Sequence, residues 1–165
     1  MNLQDIRNLI NFHYWARNRV LDAVEQLTPE QFTKDVGGSF GSVRNTILHV
    51  LSTERIWLAR WKLETPVAGL SPDNFPTAAS IRNAWIEQEG NMRAFFETKD
   101  DQGIQTVIAY KTLAGQDAAS ALWQMLQHVV NHASYHRGQV TTLLRQLGAV
   151  PPKGMDLITF YRENP

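Results

Sequence analysis

At 165 residues the chain is long enough for one domain with a sizeable apolar core and too short for two comfortable ones. Sixteen basic residues cancel sixteen acidic ones, so no global field favours a polyanion or an anionic membrane, and the lack of cysteine excludes disulfides, thiolate ligands and a cysteine nucleophile. Asp5, Arg7, Arg17 and Glu25 interrupt the apolar positions of the first thirty residues, unlike a signal peptide or a spanning helix, so a soluble, cytoplasmic protein without nucleic-acid or membrane partners is expected.

In chain order, Leu3, Ile6, Leu9, Ile10, Leu21 and Val24 have the spacing of an amphipathic helix over residues 3–26. Thr28 and Pro29 suit an N-cap and first helical position, opening a short helical turn through Phe32. Gly37, Gly38 and Gly41 break the pattern, with Ser39 and Ser42 available as caps, before a second long helix from about Val43 to Trp61. Pro66, Pro72 and Pro76 mark a loop, after which Thr77 or Ser80 caps a third helix carrying Ile81, Trp85, Met92 and Phe95 and ending near Thr98. Thr106, Val107 and Ile108, between Gly103 and Gly115, predict a short strand or hairpin within Ile104 to Tyr110. A long helical pattern then runs from about Asp117 to Leu147, with Gly148 as its C-terminal cap and Pro151 just beyond. Leu157, Ile158 and Phe160 in the tail from Met155 to Tyr161 are expected to pack back onto the core. Four long amphipathic helices predict an all-α four-helix bundle with an extended crossover, a single domain over residues 1–165.

Bundles hold metal sites between facing helices, which directs attention to the histidines. His128, His132 and His136 fall at i, i+4 and i+8 on the last long helix. An interval of four residues turns a helix by about 40° and advances it about 6 Å, so two such imidazoles can converge on one ion. The apolar face is marked by Leu122, Met125, Leu126, Val129, Ala133, Val140, Leu143, Leu144 and Leu147. Relative to its centre His136 lies at roughly 30°, His132 at roughly 70° and His128 at roughly 110°, which makes His132 and His136 the inward pair. A lone core histidine is more often satisfied by a carbonyl or hydroxyl than by a metal, and a third ligand has to come from another helix. His49 is the candidate, because His13 lies among polar positions expected to be solvated. His49 falls outside the main stripe of its helix, Val43, Ile47, Val50, Leu51, Trp57, Leu58 and Trp61, although Leu48 and Ile56 hint at a second buried face. Periodicity alone leaves its placement open.

The segments TILHVLSTERIWLARW and HVVNHASYHRGQV resemble the DinB family, also described as DinB/YfiT-like metalloenzymes. NFHYWARNRVLDAVEQLTPEQF, GSFGSVRNT and MDLITFYR extend the resemblance over nearly the whole chain. It implies an up-down-down-up four-helix bundle and a divalent metal, nickel or zinc, held by His49, His132 and His136, with His128 not ligating. The family's link to DNA-damage induction concerns regulation and gives no warrant for DNA binding.

Three neutral imidazoles leave a dication its full charge and an open position, the form of a catalytic site, and suit zinc, nickel or iron. Each ring needs an acceptor on its other nitrogen, for which Asp156 or Glu54 could serve. Glu54 sits in the apolar stripe of its helix, a costly place for a carboxylate without a partner such as an arginine. Arg137 and Gln139, in the HRGQ block, could clamp a substrate carboxylate or hold the tail. Tyr135 points outward, and the five tryptophans read as core and interface packing. The first functional reading is metal-dependent transfer of a low-molecular-weight thiol onto a small electrophile, as the resemblance implies. The alternatives are hydrolysis of a small substrate by ion-activated water, and a non-catalytic metal- or ligand-binding stress module. Exposed aromatics on a small bundle predict a homodimer.

Overall fold

The computed structural model describes residues 1–65, 69–112 and 114–164; Pro66, one of the three prolines used to place the crossover loop, lies outside them. Helix boundaries follow local chemistry. Helix α1 (Leu3–Val24) opens on a reciprocal cap in which Asn2 Oδ1 accepts from the Asp5 N–H and Asp5 Oδ2 accepts from the Asn2 N–H, both at 2.9 Å. Thr28 and Gln31 form the same box on the short helix α2 (Pro29–Thr33), and Ser42 caps α3 (Val43–Trp61). Of the two candidate caps for α4 (Ala78–Glu97), Thr77 is the one used.

The last long helix departs from its sequence reading. Val107–Lys111 (β1) pairs antiparallel with Asp117–Ala121 (β2), so α5 begins at Leu122 and ends at Gln146 rather than starting near Asp117. Ala118, Ala119, Ser120 and Ala121 have helical or neutral propensity, and the cross-strand ladder overrides it. The first N–H of α5 is satisfied by the hairpin, through Leu122 N–H donating to Thr106 O at 3.0 Å. At its other end Gly148, at φ +70°, lets its own N–H and that of Ala149 fold back onto Arg145 O and Leu144 O. Helix α6 (Leu157–Glu163) packs back through Phe160, which lies edge-on to Phe12 and Trp15, whereas Ile158 is mostly exposed.

The protein is mostly helical, with one two-stranded sheet among the described residues. Helices α1 and α3 each pack against both α4 and α5 around a core that includes Ile6, Leu21, Leu51, Ile81, Met92 and Leu126. Cross-helix pairs fix the directions. Asn11 meets Arg93 and Glu25 meets Arg82, so α1 and α4 are antiparallel. Glu54 meets Trp85 and Trp61 stacks near Phe95, so α3 and α4 run parallel. His49 meets His132 while Trp57 meets His128, so α3 and α5 are antiparallel. No helix among the described residues is long and apolar enough to cross a membrane.

At the centre lies a polar knot that joins three helices. Glu54 has no exposed surface, and it accepts from Trp85 Nε1 at 2.8 Å and from the Tyr14 hydroxyl at 3.3 Å, with His13 Nε2 also at 2.8 Å. His13 is therefore buried, only 2% exposed, and not solvated as its polar sequence neighbours suggested; the carboxylate that meets it comes from a different helix. Nor does Glu54 pair with an arginine. Arg137 is buried nearby, donating to Ser134 Oγ at 2.7 Å and lying over the Phe12 ring, and among the described residues it makes no hydrogen bond to the tail. Removing one member of such a buried group strands the others, at a cost of roughly 3–5 kcal/mol. Glu54→Ala is expected to lower the unfolding free energy by about that amount in urea while retaining divalent-metal binding; unchanged stability would show that the knot contributes nothing.

Candidate metal centre

The seam between α3 and α5 brings His49, His132 and His136 together. His132 Nε2 lies 3.0 Å from His49 Nε2 and 3.1 Å from His136 Nε2, and the candidate ligand atoms of the three all fall within 4.8 Å of one another. His136 is buried at 6% exposure and His132 is half-buried, while His128 is exposed, in the order given by the angular positions on the helix. His49 is half-buried as well, next to the fully buried Leu48, so the second face hinted at on this helix exists. His128 turns away, its ring edge-on to Trp57 at 5.2 Å between centroids.

The outer nitrogen of His136 is held by Gln139, one turn along the same helix, with Nδ1 to Oε1 at 2.7 Å. A glutamine oxygen can only accept, so Nδ1 carries the proton and Nε2 presents a bare lone pair. Glu54, committed to the central knot, does not take this role. Asp156 does not either, since it precedes α6 as an exposed residue. Gln139 belongs to the HRGQ block already singled out, but the i, i+3 relation to His136 was the signal that its role was local. Phe40 was missed altogether. It projects from the loop before α3, stacks on His49 at 4.2 Å between ring centroids and meets His136 edge-on at 5.5 Å, roofing the cluster. Tyr135 is 65% exposed, as expected, though its ring edge also touches His136.

The donor set fits a cation. With the His136 Nε2 lone pair facing inward, the single nitrogen of His132 sits between two others and can offer a proton to only one, so at least one lone pair stays unsatisfied among the three. Around an ion with bonds of about 2.0–2.1 Å, tetrahedral ligand nitrogens stand about 3.3 Å apart, close to the observed spacing. Three histidines of this kind can hold a divalent metal. The electrostatics agree. Burial, with the neighbouring His136, His49 and His128 rings, lowers the His132 pKa to about 4, and burial with His136 lowers that of His49. Both rings are thus neutral, as ligands must be, near pH 7.

A model of the DinB family matches residues 1–163. The chain belongs to the DinB family. Protein DinB of Bacillus subtilis (strain 168) is 26% identical over 150 residues, covering 85% of this chain and 84% of that protein. The crystal structure of a DinB-like protein from Bacillus cereus ATCC 10987 superposes with a TM-score of 0.70 at 17% identity, over 88% of this chain and 95% of that one, and so shares the fold. The resemblance drawn from the HVVNHASYHRGQV and TILHVLSTERIWLARW segments is therefore shown, and membership spans both helices that carry the DinB family chain's clustered histidines.

The depressed His132 pKa sets a pH dependence. Between about 6.5 and 4 the unfolded chain binds a proton at this ring that the folded chain refuses, so stability present above pH 6.5 is lost as the pH falls through that window. In metal-free protein, the urea midpoint should fall more between pH 7 and pH 5 for the wild type than for His132→Gln; an equal fall in both would contradict the assignment.

Proposed function

We propose that this chain is a single divalent-metal-binding domain over residues 1–165, built as an up-down-down-up four-helix bundle, that transfers a low-molecular-weight thiol onto a small electrophile. The parallel α3–α4 pair and the antiparallel α1–α4 and α3–α5 pairs support that topology. His49, His132 and His136 would hold the ion; nickel or zinc is what the family resemblance implies, and an all-imidazole set admits iron as well. The observation that carries the reading is the convergence of three ring nitrogens with no carboxylate among them, which leaves a dication uncompensated and attractive to a soft anion. When bound, the ion supplies positive charge that favours the thiolate over the thiol.

The chain's own groups account for the remainder. Gln139 fixes the ring of His136, the deepest of the three, and Phe40 screens the cluster on the side of the loop. The thiol S–H bond breaks with its proton passing to water. The sulfur lone pair then forms a new S–C bond at the electrophilic carbon, while the C–Cl bond breaks and chloride leaves with the electron pair, or the epoxide C–O bond breaks and its oxygen keeps the pair and takes a proton from water. Without a cysteine in the chain, the sulfur has to come from an external small molecule. A cytoplasmic homodimer is the assembly we propose, in keeping with the exposed Leu157, Ile158 and Tyr161 on α6.

Cobalt-loaded protein titrated with 2-mercaptoethanol and a panel of bacterial thiols is expected to develop a sulfur-to-cobalt absorption band with release of about one proton, and to consume thiol when an epoxide or chlorinated acceptor is added. His128→Ala should keep the cobalt spectrum and His136→Ala should lose it. Turnover without thiol would replace transfer by hydrolysis, and no spectral response to any thiol would leave a metal-binding module.

A further inference from the structure

One helical turn from the histidines the α3–α5 seam opens into a recess of about 200 Å³ beneath the loop that carries Phe40. Thr46 lines it from α3, three residues before His49; Gln139 lines it from α5, three residues after His136, with Thr142 and Gln146 beyond. Gly38 and Ser39 form the loop side, and Leu143 closes the floor 4.0 Å from where a Cβ on Gly38 would stand. Two facts about this lining point to a ligand class. None of its side chains is ionisable, so the lining itself offers no countercharge to a charged ligand, and a neutral polar group suits it better. Unused donors remain, since among the described residues no acceptor meets Gln139 Nε2 or the Gly38 and Ser39 N–H groups. The volume is below the roughly 300–1,000 Å³ of pockets for drug-sized ligands, the scale of one functional group and its substituent.

We propose that this recess is the subsite for the electrophilic acceptor, that it takes an uncharged group bearing an oxygen acceptor, a carbonyl or an epoxide, and that Gln139 joins it to the histidines. The assignment to the acceptor rests on the transfer reading above. Gln139 has two ends with separate tasks. Its Oε1 accepts from the His136 Nδ1–H, with 2.7 Å between nitrogen and oxygen, and its Nε2 donates to the oxygen of the bound group. The same side chain that aims the ring thereby positions the acceptor about one turn, roughly 5 Å along the seam, from the nitrogens. Gln139 is a positioning residue for the first task and a binding residue for the second.

Benzamide and benzamidinium test this on zinc-loaded protein by amide NMR, because they share a shape while only benzamide carries an oxygen acceptor. Benzamide is expected to shift the Gly38 and Ser39 amides and the Gln139 side-chain NH₂ saturably, and benzamidinium at the same concentration to leave them in place. Gln139→Glu keeps an acceptor for His136 and loses the donor, so zinc affinity should stay within about threefold of wild type while benzamide binding weakens at least tenfold. Gln139→Ala removes both tasks and should weaken zinc binding by about 10- to 100-fold as well. Unmoved recess resonances, equal shifts by benzamidinium, or wild-type benzamide affinity in Gln139→Glu would overturn the proposal. No thiol is present in these measurements, so their failure is separate from failure of the thiol titration.

Discussion

The antiparallel contact of α3 with α5 is the constraint from which the rest of the candidate site follows. Opposed directions let an increasing residue number on one helix meet a decreasing number on the other, so His49 faces His132 and His136 while Trp57, two turns on, faces His128. A slip of one residue on either helix would rotate its histidines by about 100° and dissolve the cluster. The register is held from several sides. Apolar side chains of both helices fill the core, the hairpin fixes the start of α5, and the glycine turn after Gln146 fixes its end.

The buried knot around Glu54 complements that seam. Its donors come from α1 and α4, so one carboxylate on α3 relates its helix to the two that bear no clustered histidine. Arg17, buried on α1, adds a second tie to α4 through Trp85 O and Glu89. A hydrogen bond of this kind contributes modestly to stability when made and costs much more when broken, so the knot acts mainly as a selector of one packing arrangement. Removing it would first loosen the relation of α3 to α1 and α4, and only through that the position of His49.

Much of this was legible in the sequence wherever a local rule decides the outcome. Ser42, Thr28 and Gly148 marked helix ends because caps satisfy backbone groups within a few residues. The apolar face of α5 ordered His136, His132 and His128 by depth because one helix sets all three. Where partners come from elsewhere in the chain, the sequence was silent. His13 looked solvated because its neighbours are polar, and its partner Glu54 is forty-one positions away. Residues 117–121 looked helical because their pairing with residues 107–111 leaves no periodic mark in Ala-Ala-Ser-Ala. His49 lay outside its helix's main stripe, and only the family's motif order, later joined by the geometry of the seam, gave it a place. Phe40 stood within the GSFGSVRNT segment but was given no role there, since a lone aromatic in a glycine-rich loop does not declare which ring it covers.

In the proposed site the imidazoles of His49, His132 and His136, and no carboxylate, enclose one divalent ion at this seam. Zinc K-edge X-ray absorption on protein reconstituted with one equivalent of zinc addresses it directly. Three imidazole nitrogens at about 2.0–2.1 Å are expected, with the outer-ring scattering typical of histidine, and one further light ligand. A shell with two or fewer imidazoles, or one containing a carboxylate, would contradict it.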